Sequence, residues 1–203
     1  FASEIKALRS LPGLTMNVNQ QSVFDFLVFN RTDVFDETFI CEIKRLPKGH
    51  FAIINQEGLN LVRWWNPEDF IQNETITEAQ TIEKVEALLV SAVQLQMRSD
   101  VPVGSCLSGG LDSSVLAGII HDHNHVNGHF PTFTASFPEH PLDETRYVDC
   151  LNQKYPFTNH RTFPTAQSAF DHFHQFVYAI DEPAADATFY TQYEVMRLAR
   201  QHG

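Results

Sequence analysis

The sequence predicts an α/β fold in which a parallel sheet flanked by helices follows a shorter α+β part. Three observations carry this reading. From about residue 78 onward, short apolar strand candidates alternate with stretches of helical periodicity, the pattern of a parallel sheet built from βαβ units. Before residue 66, two strand candidates meet across the Glu57-Gly58 turn and read as an antiparallel pair. Where one of the later strands passes into a helix lies Ser108-Gly109-Gly110-Leu111-Asp112-Ser113-Ser114, a run of glycines and hydroxyls that a simple connection does not require.

Taken in order, Ser3 is placed to cap a short helix ending before Pro12-Gly13, and Val23, Phe24, Phe26 and Leu27 belong to a second helix. The strand candidates are Phe39 to Ile54, interrupted at Pro47-Lys48-Gly49, and Leu59 to Trp65. Asn66 to Thr77 is polar and acidic and reads as a linker, which gives domains at 1–66 and 78–203 around a 67–77 connection. Thr77 caps a long helix to about Ser99, with Ile82, Val85, Leu89, Ala92 and Leu95 or Gln96 on one face. A strand at 102–107, the glycine run and a helix to about His121 follow. Next come a strand at Thr132–Phe137, a helix from Asp143 to about Lys154 and a strand at Thr158–Phe163. Helices near Thr165–Ile180 and Thr188–His202 complete the chain. Phe1 opens without a capping or turn signal and Gly203 suits the residue after a helix, so both ends are expected to be internal to a longer sequence.

The chain has 203 residues, is 43% hydrophobic and 19% charged, and carries a formal net charge of −11, which is ordinary globular composition with an acidic balance. That balance disfavours nucleic acid or an anionic membrane as partner, since both reward clustered Lys and Arg. No run of about 18 apolar residues and no leader pattern occurs, so the expected compartment is the cytoplasm. Cys41, Cys106 and Cys150 are widely spaced and form no Cys-x-x-Cys; they are expected to be reduced and mostly buried.

The glycine run has the chemistry of a phosphate cradle. A strand-to-helix turn aims backbone N–H groups at an anion, the glycines let phosphate approach closely, and Ser108, Ser113 and Ser114 add hydroxyls. Asp112 repels a polyphosphate unless a divalent cation lies between them, so its presence argues for a Mg²⁺-bound nucleotide. The lysine-bearing P-loop is excluded, because no Lys or Arg occurs between Arg98 and Arg146. Phosphate charge is left to backbone donors, Mg²⁺ and cations from elsewhere in the sequence.

The run resembles the PP-loop of enzymes that split ATP into AMP and pyrophosphate, and the whole chain resembles the middle of a glutamine-hydrolysing asparagine synthetase. Four stretches carry the resemblance in order: Phe1 to Leu8, Ile43-Lys44-Arg45-Leu46-Pro47-Lys48-Gly49-His50, Ser99 to Ser114, and Asp181-Glu182-Pro183-Ala184-Ala185-Asp186. The resemblance implies the C-terminal part of an α+β N-terminal-nucleophile amidotransferase domain, followed by the first part of a PP-loop ATP pyrophosphatase-type parallel sheet flanked by helices. It implies asparagine synthesis from aspartate through β-aspartyl-AMP, with ATP and Mg²⁺ as cofactors and with ammonia supplied free or from glutamine. A homodimer is the one protein assembly left open.

By the same resemblance, Leu107 offers backbone contact to adenine, and Ala135 is a second adenine-contacting position. Ser108, Gly109, Gly110, Asp112, Ser113 and Ser114 hold the phosphates, with Asp112 on the metal. Asp181 and Glu182 contact substrate or support its site, and no catalytic residue is assigned. The family usually has glycine after Ala135 where this chain has Ser136, which restricts close approach there. The family's nucleophilic N-terminal Cys is expected upstream of Phe1 and its Ser-Gly-x-Gly-x-Asp-Glu motif downstream of Gly203. Cys41 is therefore read as a core residue, and this stretch alone is expected to be inactive. Two alternatives stay open: a related amide ligase acting on another carboxylate, such as a β-lactam synthetase-like enzyme, and an inactive nucleotide-binding remnant.

Outside that pattern, His121, His123, His125 and His129 with Asp122 have spacings compatible with a metal, but the Asn127-Gly128 that follows favours a solvated loop. Asp143-Glu144 can act as acid and base or cap a helix start, the latter favoured by Pro141. Phe170, Phe173 and Phe176 recur at helical spacing and are expected in the core.

Overall fold

The computed structural model describes residues 1–32, 34–71, 75–123, 130–138, 140–141 and 143–203. They form two compact units, one of Phe1–Thr75 with Val177–Ala185 and one of Ile76–Phe176 with Asp186–Gly203. No described helix is long and apolar enough to cross a membrane.

The first unit opens with α1 (Ile5–Leu8), whose N-cap is Glu4 without a side-chain capping bond, so Ser3 does not cap it. α2 (Gln20–Phe29) is set by Asn19, whose carboxamide oxygen accepts from the N–H groups of Gln21 and Ser22, and ends on Asn30 in the left-handed region. Phe39 to Leu46 does not form the expected strand. Thr38, buried, accepts from the Ile40 N–H and lies 2.8 Å from the Ile43 carbonyl, so one hydroxyl folds the backbone into turns around Phe39 and Ile43. The antiparallel pair is β1 (His50–Asn55) and β2 (Gly58–Arg63), in register from His50 opposite Arg63 to Asn55 opposite Gly58. Gly49 enters it at φ +68°, where an added Cβ would lie 2.1 Å from the Trp65 carbonyl oxygen. Only glycine fits that approach.

In the second unit, α3 (Glu78–Gln96) begins at the expected Thr77, which forms a reciprocal capping box with Gln80. Its buried residue is Val93, which packs with Ile120 and Phe130, while Ile82, Val85, Leu89 and Leu95 of the expected face are exposed. The helix carries apolar residues on more than one side, and the sequence does not say which side meets α4 (Leu111–His123). β3 (Ser105–Cys106), β4 (Pro131–Ala135) and β5 (Thr158–Thr162) form a parallel sheet in the order β3-β4-β5. α4 connects β3 to β4, and α5 (Thr145–Lys154) connects β4 to β5. β4 is central and buried at Thr132, Phe133 and Thr134, two of them hydroxyl residues bonded by the Asn159 carboxamide at 3.1 and 2.9 Å.

The helical stretch after β5 breaks into α6 (Ala166–Asp171) and α7 (Phe173–Ile180), and α8 (Thr188–Gln201) packs on β4 and β5. Of the three phenylalanines expected in the core, Phe176 is buried against Tyr190 and Tyr193, whereas Phe170 and Phe173 are exposed. All three cysteines are exposed, contrary to expectation; the Cys41 segment forms turns rather than a strand, so its thiol gains no covering layer in this unit.

Candidate functional site

The glycine run leaves the sheet at the carboxyl end of β3, the edge at which open parallel sheets gather ligands. Leu107 follows β3 and is 1% exposed. Its N–H donates to the Phe133 carbonyl at 2.9 Å, and its own carbonyl accepts from the Thr134 hydroxyl at 2.7 Å. Leu107 is thereby anchored to β4, and any polar contact it makes with a base uses the carbonyl's second lone pair.

From that anchor the loop closes on itself. The Ser108 hydroxyl accepts from the Gly110 N–H at 3.2 Å and sits 3.0 Å from the Ser113 hydroxyl. Ser113 and Ser114 hydroxyls donate to the Gly110 carbonyl at 3.2 and 2.7 Å. Gly109 lies at φ +91°, with an added Cβ 2.6 Å from the Glu144 carbonyl oxygen and 3.3 Å from Val148 Cγ2. The loop therefore rests directly on the start of α5, and its shape depends on glycine there. The α4 ladder begins with the Ser114 N–H on the Gly110 carbonyl at 3.1 Å, so the N–H groups of Leu111, Asp112 and Ser113 precede its first bond.

Asp112 stands in that first turn, exposed, and its carboxylate makes no hydrogen bond among the described residues. Glu144 brings a second carboxylate toward the loop, with Oε2 3.8 Å from where a Gly110 Cβ would lie. Two carboxylates and a sequence without Lys or Arg from 99 to 145 fit a hard divalent cation between protein and polyphosphate.

Beside the loop lies a cavity of about 190 Å³. Leu107, Ser108 and Ala135 line it, so three of the expected nucleotide positions come together. Ser136 points elsewhere: it is 2% exposed, its N–H donates to the Thr162 carbonyl at 2.9 Å and its hydroxyl lies 2.9 Å from the Thr145 hydroxyl. Its side chain is turned into the protein and does not narrow the cavity. Phe133, Phe137, Cys106, Asp143 and Glu144 complete one side, and α8 supplies Thr191, Gln192 and Val195. Sequence reasoning missed the α8 residues, which lie about 80 positions beyond the loop and carry no local motif.

Asp143 stands at the start of α5 and bridges it to the preceding loop, accepting from the Phe137 N–H at 2.9 Å and the Thr145 hydroxyl at 2.7 Å. The Phe137 N–H first, and the Thr145 hydroxyl next, hold its carboxyl below the ordinary value of 3.8. A carboxyl whose pKa is lowered by folding contributes stability that is present above the unfolded value and lost as the pH falls through the folded one. In urea unfolding across pH, Asp143→Asn is therefore expected to be less stable than the parent chain at neutral pH. The gap should close as the pH falls below 3.8; a gap independent of pH would remove the charged bridge.

Asp181 and Glu182 belong to the first unit. Asp181, at φ +64°, accepts from the Lys6 backbone N–H at 3.1 and 3.3 Å and pairs with Lys6 Nζ at 3.5 Å. Glu182 Oε2 pairs with Arg45 Nη2 at 2.5 Å. Both carboxylates are thus engaged by protein cations. His121 Nδ1 lies 2.8 Å from Asp122 Oδ1, and no metal-holding cluster occurs among the described residues; His125 and His129 fall outside them.

Comparison with family models matches residues 84–203 to asparagine synthase and residues 1–65 to the glutamine amidotransferase domain. Among curated relatives, the chain is similar to glutamine-hydrolyzing asparagine synthetase 3 of Bacillus subtilis (strain 168), 27% identical over 195 residues, covering 90% of this chain and 31% of that protein. It is 25% identical over 207 residues to putative glutamine-hydrolyzing asparagine synthetase 2 of Methanocaldococcus jannaschii, covering 99% of this chain and 39% of that protein. A third relative, Amidase chyE of Penicillium rubens, is 30% identical over 116 residues, half of this chain and 17% of that protein. The chain spans about a third of the length of the two synthetases.

Proposed function

The chain belongs to the asparagine synthase family, and on that premise we propose that the loop at 107–114 binds the triphosphate of ATP and the adjoining cavity its base, for activation of the aspartate side chain. The observation that carries this is the cradle itself: a glycine-shaped turn, anchored to β4 by Leu107 and seated on α5 at Gly109, leading into the N-terminus of α4. In the proposed reaction an aspartate β-carboxylate oxygen attacks the α-phosphorus and pyrophosphate leaves. Ammonia then attacks the β-carbonyl carbon of β-aspartyl-AMP, and AMP departs with the electron pair of the broken C–O bond.

Ser108, Gly109, Gly110, Ser113 and Ser114 hold phosphate oxygens, and Leu107 and Ala135 lie against the base. Asp112 would hold Mg²⁺, and Glu144, whose Oε2 lies 3.8 Å from where a Gly110 Cβ would be, would offer a second carboxylate. The metal supplies charge neutralisation at the departing pyrophosphate. The domain assignment follows the same reading, with 1–66 as amidotransferase part, 67–77 as connection and 78–203 as synthetase part. The match of residues 1–65 supports glutamine as the source of ammonia. Asp181 and Glu182, engaged by Lys6 and Arg45 within the first unit, are given no direct part in holding the nucleotide.

Binding of ATP to the chain, followed by calorimetry with and without Mg²⁺, tests the reading. Asp112→Ala is expected to keep the fold, because the residue is exposed and its first-turn charge is worth only about 0.5 kcal/mol. It should weaken Mg²⁺-dependent ATP binding by about tenfold or more, the loss of one charge-assisted metal contact, and leave Mg²⁺-free binding nearly unchanged. Equal losses in both conditions would remove the metal role. A second reading, which the loop at 107–114 by itself does not distinguish, is the same phosphate chemistry on a different carboxylic acid. The same calorimetry of Mg²⁺-ATP binding in the presence of aspartate or of other carboxylic acids, read for which acid tightens it, separates the two.

A further inference from the structure

The cavity of about 190 Å³ is smaller than the several hundred Å³ that enclose a drug-sized ligand, so it suits one ring system rather than a whole nucleotide. Its walls are apolar at Leu107, Phe133 and Val195, all nearly buried, which suits the faces of a planar base. What remains is the edge of that base.

The polar groups around the cavity differ in how far they are already committed. The Asp143 carboxylate holds Phe137 and Thr145, and the Thr191 hydroxyl donates to the Ala187 carbonyl at 3.3 Å within its own helix. Gln192 is different. Its one hydrogen bond among the described residues runs from Nε2 to Cys106 Sγ at 3.8 Å, a weak acceptor, and Oε1 accepts none. A carboxamide at the rim of an apolar cavity thus offers one donor and one acceptor side by side with almost nothing to lose. Adenine presents the complement on one edge, a 6-amino donor beside the N1 acceptor.

We infer that Gln192 reads the adenine edge, its Oε1 accepting from the 6-amino group and its Nε2 donating to N1 in place of the Cys106 contact. Gln192 is then a specificity-determining residue for the nucleotide. The inference rests on the reading that the loop at 107–114 binds ATP.

The test compares Mg²⁺-ATP with the Mg²⁺ complex of purine riboside triphosphate, which has hydrogen in place of the 6-amino group, on the parent chain, Gln192→Met and Gln192→Glu. Gln192 is exposed on α8 and all three residues are good helix formers, so the fold is expected to survive, as circular dichroism would verify. The parent chain should prefer ATP by about fivefold to tenfold, the usual effect of one hydrogen bond. Gln192→Met should abolish that preference while keeping affinity for the purine analogue within about twofold, and Gln192→Glu, which keeps an acceptor for the amino group, should retain part of it. A preference unchanged in Gln192→Met, or one lost equally in Gln192→Glu, overturns the assignment of Gln192 alone. Failure of the parent chain to bind either nucleotide overturns the ATP reading and this inference together.

Discussion

Gly109→Ala is expected to cost the chain Mg²⁺-ATP affinity by more than about 100-fold, the loss of two or more phosphate contacts worth 1.5–3 kcal/mol each. The residue sits at φ +91°, which strains any residue with a Cβ, and the new methyl would meet the Glu144 carbonyl oxygen at 2.6 Å. Relief requires either α5 or the loop to move. The first costs about 1–3 kcal/mol of packing, and the second re-aims the Gly110 N–H and the first turn of α4. Gly109→Val should be worse on both counts. Calorimetric titration with Mg²⁺-ATP and a thermal melt separate binding from stability. Retention of parent-like affinity in Gly109→Ala would show that phosphate does not depend on this turn, and the cradle reading would fall.

Glu194→Ala is expected to lower stability by about 2–4 kcal/mol, somewhat less than breaking a fully buried pair because the Arg197 left behind is 41% exposed. Glu194 is 2% exposed and fully bonded: Oε1 accepts from Tyr190 Oη and His172 Nδ1, both at 2.9 Å, and Oε2 accepts from Arg197 at 2.8 and 3.2 Å. Burial raises its pKa, but the Arg197 and Tyr190 hydrogen bonds outweigh that and hold the carboxyl below its ordinary 4.5. The sign follows: its contribution is complete at neutral pH and is lost as the pH falls from 4.5 through the folded value. Glu194→Met, which fills the space without a charge, should cost less than Ala. Chemical unfolding at pH 7 and pH 4 measures both effects, and a Glu194→Ala variant as stable as the parent at pH 7 would leave the network without energetic weight. Because α8 also carries Thr191, Gln192 and Val195, loosening it should weaken nucleotide binding, though by less than Gly109→Ala.

Much of the fold was legible because its signals are local. Thr77 with Gln80, the Glu57-Gly58 turn and the alternation of β3 to β5 with helices are each read within a few residues, where capping, turn chemistry and periodicity act. The failures share a cause as well. Phe39 to Leu46 has the composition of a strand, but the Thr38 hydroxyl offers its backbone closer partners. On α3, apolar residues on several sides left the buried face undetermined, and Val93 rather than Ile82 or Leu89 meets Ile120 and Phe130.

The sequence by itself determined that a glycine- and serine-rich turn joins a strand to a helix, that Asp112 stands in it, and that no Lys or Arg lies near it in the chain. These follow from residue chemistry at neighbouring positions, where spacing fixes geometry. Tertiary structure alone decided that Glu144 seats Gly109, that Ser136 turns away from the cavity, and that Gln192 from α8 faces Cys106 beside it. It also decided that Asp181 and Glu182 bind Lys6 and Arg45. Such pairings join residues far apart in sequence, and the packing of whole elements that creates them leaves no mark in the local pattern.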